Sequence, residues 1–436
     1  GINASLLHLY IHQAYEDRWP GMNAWFGNEF NRKNTWFSHL DLFTLYLKRC
    51  NYLLQQGRYV ADVAVFIGED VPKMTGPDPS VVPEGLSFDF INAEALLKLA
   101  MVEKGELVLR SGMRYKELYL PELTTMRPEL ARRVLEFAES GLKIRGTVPV
   151  RAPGLKGYPK ADAEVKAIGE ALRQRFGVKM EAPGAGLLPD FKAEVPVRFL
   201  HRTAGRLHWY FLANPLQKKQ QFTAFFRVKG LYPWWVDALS GEIRPLPEYT
   251  EVDGGTSLPL ELDAWGSGFV FWDTKDHGAK GKNVRTWTPI EDLSEGWKAS
   301  FISRVDSATF SIDYKSLVDW KDKEETKYFS GKALYSKTFH SEEAQELYLD
   351  LGPVMMAKVK LNGDEVGGVW APPYRLKIGV KRGENHLVVE VVNTWNNALV
   401  GDKDKRLWAP VKRLNAASPL QSGGLLGPVQ LLKQND

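Results

Sequence analysis

Near residue 190 the spacing of apolar residues changes, and that change limits what the chain can build. From 59 to about 186, short apolar runs alternate with stretches of helical period: YVADVAVFIG, FINAEALLKLAM, GELVLR, YKELYLPEL, RPELARRVLEFAESG, LKIRG and ADAEVKAIGEALRQRFG. Such runs read as buried strands interleaved with amphipathic helices. In the second helical stretch Pro128 stands near the start and Gly141 at the end, where each is favoured. This part, 59–188, is expected to be a flavodoxin-like α/β domain. It has no GxGxxG after its first strand, so no nucleotide is assigned to it. From 190 onward the apolar residues recur every second position instead. VPVRFLHRT, LHWYFLAN, QQFTAFFRV, YPWWVDALSG, TSLPLELD and GSGFVFWD read as short strands of a β-sandwich over 189–275. The polar, Gly-rich TKDHGAKGKN reads as a linker, and a second all-β module closes the chain, 276–436 with that linker. Its clear strands are KALYSKTF, ELYLDLG, MMAKVKLNG, YRLKIG, NHLVVEVVN and GPVQLLK, with Asn362-Gly363 as a hairpin turn.

The first 58 residues stand apart. INASLLHLYI reads as a buried strand, His12 to Thr35 as a polar, aromatic loop, and about Ser38 to Gln56 as an amphipathic helix. Leu42, Leu45, Tyr46, Arg49, Leu53 and Leu54 recur near the helical period, and Gly57 supplies the stop. One strand–loop–helix unit cannot cover both faces of its own strand. The missing neighbours are expected upstream, so the chain reads as a fragment. A length of 436 residues suits two to four domains. The net charge is only +4, with 57 basic against 53 acidic residues and no long basic block, which gives no argument for nucleic acid. No apolar stretch reaches membrane-spanning length and no signal peptide is visible. A single cysteine, Cys50, excludes an internal disulfide and a Cys-based zinc site. The 14 Trp, 16 Tyr and 21 Phe admit two readings: rings for stacking on sugars, or the buried aromatics of β-sandwiches.

The motifs in order resemble glycoside hydrolase family 106, the α-L-rhamnosidases. At the front, GIN, LLHLYIHQ, RWPGM and FNRKNTWF look like the last strand and loop of that family's catalytic barrel. FLHRT, WYFLAN, FFRVKG, PWWVDALSGEI and SGFVFWD look like the β-domain that follows. KYFSGKALYSKTF, YLDLG, AKVKLNG, GGVWAPPYRLKI, GENHLVVEVVNTWNNALVGD and SGGLLGPVQL look like a galactose-binding-type jelly roll, a module shared with family 2-type glycosidases. The resemblance makes 1–58 the last βα unit of a (β/α)8 barrel.

It also implies inverting, calcium-assisted hydrolysis of α-L-rhamnosides. Inversion needs two carboxyl groups roughly 6.5–9.5 Å apart, one as general acid and one activating water. A barrel sets such groups at the ends of several strands, so the catalytic pair is expected outside this chain, which should be inactive alone. Glu29 is the one candidate carboxylate in the loop, weighed against a plain surface position; Glu16 and Asp17 flank Arg18 as a solvated cluster. Substrate contacts are expected from His12, Gln13, Trp25, Arg32, Asn34 and Trp36, with His8, Trp19 and Asn28 nearby; His8 and Trp36 read equally as core residues satisfied by their neighbours. In the jelly roll, Trp370, Tyr374, Trp395 and Asn396 form either a sugar cleft or a hydrophobic plug between modules. His201, in HRT, is expected to be a structural residue on an exposed strand at a domain contact. Calcium is expected in the full-length enzyme. No metal is assigned here, since Asp402 and Asp404 lack the dense oxygen-ligand spacing that hard cations require.

The partner is expected to be a carbohydrate, and the location periplasmic or extracellular, with the signal peptide upstream. Oligomeric state stays open. Two other readings stand beside the first: a carbohydrate-binding accessory region of another glycosidase family (family 2-like), and a structural brace or oligomer contact.

Overall fold

The structure, a computed structural model, describes residues 32–69, 82–403 and 414–435, together with Pro20, Phe30 and Leu407. The chain is mostly β, with few helices. Four parallel strands come first, in the order Phe88–Ile91, Val63–Phe66, Glu117–Leu120, Lys143–Gly146. The two central strands are buried at every position, as parallel strands covered on both faces must be. Helices Pro128–Glu139 and Lys160–Phe176 supply Leu130, Val134, Phe137, Val165 and Leu172 to the core beneath. Gly177 ends the second of them in the left-handed region at φ 68°.

FINAEALLKLAM proves to be three elements. Phe88–Ile91 ends in it, Ala93–Lys98 is its only helix, and the strand Ala100–Glu103 begins in it. Asn92 caps the short helix by accepting from Ala95 N at 2.9 Å. Lys104 and Gly105, both at positive φ, then turn the chain into an antiparallel hairpin with Glu106–Leu109.

The next β-unit has two sheets. One runs Arg58–Tyr59, Arg198–Ala204, Leu207–Ala213, Ser267–Asp273, Tyr232–Val236, Ile243–Pro245; the other runs Thr250–Val252, Gly255–Leu262, Gln220–Phe226, Phe191–Ala193. Alternation sorts their side chains. Tyr210, Leu212, Val270 and Trp272 turn to Phe222, Phe226, Leu258 and Leu260 in a shared core. Trp209, Phe211, Phe269 and Phe271 face the other way and pack with the helix Leu40–Gln55. Trp209 Nε1 donates to Leu53 C=O at 3.0 Å, and the Tyr46 hydroxyl meets Ser267 Oγ at 2.7 Å. Leu45, counted on the apolar face from sequence, is 42 % exposed. Gly57, at φ 60°, follows the helix where any Cβ would lie 2.4 Å from Thr203 C=O.

The last β-unit also has two sheets around one core. The four-stranded sheet runs Trp287–Asp292, Gln430–Gln434, Gln345–Asp350, Arg375–Val380. The six-stranded sheet runs Thr309–Ser316, Glu295–Ser303, Gly331–Ser341, Gly383–Val392, Met356–Leu361, Asp364–Val369. Trp297, Phe301, Trp320, Tyr335, Leu349 and Val389 fill the space between. Asn362 (φ 55°) and Gly363 (φ 96°) form the hairpin turn that the sequence signals. Gly367 (φ 130°) sits opposite a register shift at Val359 and Lys360, a bulge.

The helix Leu40–Gln55 is a wedge between the two β-units. Its far side meets the last unit: Asp41 pairs with Lys358 at 3.0 Å, and Trp370 sets its ring edge-on to Phe43 and Tyr46 at 5.3 and 5.5 Å. The segment just before this helix is therefore held against the last unit.

Candidate functional site

Part of the candidate substrate loop falls among the described residues. His8, His12, Gln13, Trp19, Trp25, Asn28 and Glu29 lie outside them, as does Asp404; Arg32, Asn34 and Trp36 lie within. Backbone and hydroxyl groups fasten this stretch to the last β-unit. Arg304 Nη2 donates to Arg32 C=O at 2.9 Å, Trp395 Nε1 to Lys33 C=O at 2.9 Å, and the Thr35 hydroxyl to Asn393 C=O. Asn393 is itself fixed, accepting from Gly331 N at 3.0 Å and donating to Phe329 C=O at 2.8 Å. The main chain then coils into the helix through Phe37 N to Asn34 C=O and His39 N to Trp36 C=O.

The three expected residues here differ in exposure. Arg32 is exposed, Trp36 half-buried, and Asn34 buried with its side-chain oxygen 3.3 Å from the Thr35 hydroxyl. Trp36 meets Phe30 edge-on at 6.1 Å, and Phe30 stacks on Phe43 at 6.3 Å. An aromatic file thus runs from the loop to Trp370. His39, in the turn before the helix, is fully buried, 3.0 Å from Ser38 Oγ and 3.8 Å from Glu390. Burial holds its pKa below the usual histidine value, against the pull of Glu390.

The four aromatic and amide residues proposed for the jelly roll go to separate places. Trp370 packs on the wedge helix, and Trp395, 5 % exposed, closes over Lys33. Tyr374, at φ 56°, packs against the core of its own unit. Asn396 donates to Pro419 C=O at 3.2 Å and Asn397 Oδ1 at 3.0 Å. Both tryptophans thus touch the segment and helix that precede the first β-unit.

His201 is structural, as the sequence implies, and its ring lies deeper than its strand. Its strand lies at a contact between units, as expected, yet the ring is 2 % exposed. It stacks on Tyr210, its cross-strand partner, at 3.9 Å and 13°. Its Nδ1 lies 2.9 Å from Asp190, which is fully buried and also accepts from the Tyr210 hydroxyl at 3.0 Å. Arg227 spans Asp190 at 3.3 Å and Asp62 at 2.9 Å, and Lys116 completes the cluster on Asp62 at 2.8 Å. Two carboxylates face two cations, so the joint between parallel sheet and first β-unit is charge-balanced. His201, Arg227 and Tyr210 more than offset the burial of Asp190 and hold its pKa below the usual carboxylate value. The signal in the sequence is PDF at 189–191, an acid immediately before a strand and 11 residues before His201.

On the far side His208 Nδ1 lies 2.9 Å from His201 Nε2. Burial, then the neighbouring imidazole, pushes the His208 pKa down to about 4. The unfolded value is about 6.5, so between those pH values the unfolded chain binds the extra proton. This contribution is complete above pH ~6.5 and is lost as pH falls toward 4. His208→Gln should remove about 1–2 kcal/mol of that slope, a figure reduced for partial solvent screening of the ring. Denaturation midpoints of both proteins from pH 7 to 4 check it; parallel curves would refute it.

Among the described residues no group of three or more His, Cys, Asp or Glu side chains is arranged to hold a metal ion, and Asp402 accepts from Leu407 N at 3.0 Å. Among them, too, no helix is long and apolar enough to cross a membrane.

The assembly of sheets and wedge helix matches a solved rhamnosidase from Novosphingobium sp. PP1Y over 100 % of this chain, with TM-score 0.90 and 31 % identity. The match sets the fold among the glycoside hydrolases. Residues 1–251 match the model of glycoside hydrolase family 106, described as alpha-L-rhamnosidase, and the chain belongs to that family. A curated protein of Formosa agariphila, named provisionally as a β-glucuronidase, is 34 % identical over 273 residues, 60 % of this chain. The chain spans 45 % of the Novosphingobium rhamnosidase chain and 23 % of the Formosa protein.

Proposed function

We propose that the chain is part of an α-L-rhamnosidase that cleaves rhamnose-containing glycosides or polysaccharides with inversion. The observation that carries this reading is the end-to-end match to a rhamnosidase at 31 % identity, joined to the family match over residues 1–251. In this reading the loop 12–36 lies at the rim of the sugar site. His12, Gln13, Arg32 and Asn34 hydrogen-bond hydroxyls, and Trp25 and Trp36 stack on the ring. The acid and the base belong to parts of the enzyme outside the described residues, and so does calcium. The 436 residues alone then do not turn over substrate.

The finer architecture belongs to the same proposal. The parallel strand order supports a flavodoxin-like layer, and the paired sheets of the last unit support a galactose-binding-type jelly roll. Residues 1–58 are read as the closing βα unit of a barrel, and the location as periplasmic or extracellular, where long polysaccharides are met.

Product stereochemistry tests the mechanism. Hydrolysis of an aryl α-L-rhamnopyranoside by the protein that carries this chain, followed by proton NMR before mutarotation, should give β-L-rhamnose first. First-formed α-L-rhamnose would mean retention and a covalent intermediate, and would overturn the inverting mechanism.

A further inference from the structure

A cavity of about 160 Å³ opens at the seam between the two β-units. Trp235, Arg244 and Asp263 of the first unit and Trp287 and Arg375 of the second are among its walls. That volume is below the ~300–1,000 Å³ of drug-sized pockets and suits one sugar ring.

Most of the charges around it are already matched. Glu242 and Arg285 form a two-bond pair, Asp350 holds Arg375 at 2.6 and 3.1 Å, and Lys219 holds Glu261 at 2.6 Å. Asp237 accepts from Leu239 N at 2.8 Å and Ser240 Oγ at 2.9 Å. Two groups remain. The Arg244 guanidinium has no hydrogen bond or ion pair among the described residues, and neither has the Asp263 carboxyl. Burial, then the charge of Arg285, pushes Arg244 down to about 10, and burial raises Asp263 above the usual carboxylate value.

The walls are fixed. Arg244 lies directly across the strand pair from Trp235. Trp235 in turn lies against Gly268, where a Cβ would come within 2.2 Å of the indole. Arg375 lies over the Trp287 ring at 4.2 Å. A planar fork of donors without an acceptor calls for a carboxylate, a carboxyl without a donor calls for a hydroxyl, and indoles suit the C–H face of a ring.

We propose that this seam is a binding site for a single carboxylated sugar, a uronic acid unit. Its carboxylate would take the fork of Arg244 and one hydroxyl would donate to Asp263. None of the described residues 32–36 lines this cavity, and the proposal does not rest on the rhamnosidase reading, because binding is measured without hydrolysis.

The test is calorimetric titration of the 436-residue chain with galacturonate and glucuronate, beside galactose, glucose and acetate. At least one uronate should bind about tenfold or more tighter than its neutral sugar and than acetate. Arg244→Met should abolish that preference while keeping the thermal midpoint, since an unpaired guanidinium contributes no folded-state ion pair. Arg244→Lys should retain part of it. Equal binding of uronate and neutral sugar would overturn the proposal. So would acetate binding as well as the uronates, or a preference unchanged in Arg244→Met.

Discussion

Replacing Asp190 with alanine should cost about 3–5 kcal/mol, because it leaves buried partners without their counter-charge. Arg227 keeps Asp62 as its one remaining carboxylate, beside Leu188 C=O, and the His201 Nδ1 and Tyr210 hydroxyl lose their common carboxylate acceptor in a buried site. The chain holds several separate cores, so unfolding need not be one step. The loss should fall on the transition in which the parallel sheet parts from the first β-unit, seen as a lowered urea midpoint with the last unit unaffected. Acid provides a second reading. The Asp190 pKa is lower folded than unfolded, so its contribution is full above pH ~4 and is lost as pH falls through the folded value. The variant should lack that acid limb. A midpoint within experimental error of the parent would show that the joint carries no stability.

Trp395→Ala should be the other severe change, at about 3–5 kcal/mol for a buried tryptophan. Its particular effect is local: Lys33, 3 % exposed, loses both the indole above it and the bond to its carbonyl. Tryptic cleavage after Lys33 should then be faster in Trp395→Ala than in the parent. Trp395→Phe keeps most of the volume and drops only the N–H bond, worth about 1 kcal/mol, so it should cleave at close to the parental rate. Equal cleavage in all three proteins would mean that Trp395 does not hold the loop. Should the loop bear substrate contacts, the alanine variant should also raise KM for rhamnosides.

The elements were legible where local pattern decides them. The helix Leu40–Gln55 follows from the spacing of Leu42, Tyr46, Leu53 and Leu54, and the last hairpin from Asn362-Gly363. Residues 93–103 were not, because Ala100–Glu103 is apolar enough to extend the helical pattern, and the Lys104-Gly105 turn that makes it a strand carries one glycine and no other signal. Alternation along 198–213 sorts side chains by face, but it does not say what covers a face. The sequence therefore sets His201 as a structural residue on an exposed strand at a contact, without showing that its ring is buried on Asp190. Trp395 shows the same limit at longer range. Its partner lies 362 residues away, so nothing local separates a ring for sugar from a ring for Lys33. The seam cavity was wholly hidden, because Arg244, Asp263 and Trp287 meet only when the two units pack.

The central claim, a rhamnosidase assembled in part from this chain, is met most directly by one paired assay. The protein that carries the chain is offered a 4-nitrophenyl α-L-rhamnopyranoside and a 4-nitrophenyl β-D-glucuronide under the same conditions, beside the 436-residue chain alone. The account predicts nitrophenol from the rhamnoside, little from the glucuronide, and none from the chain by itself. Release from the glucuronide with the rhamnoside untouched would contradict it.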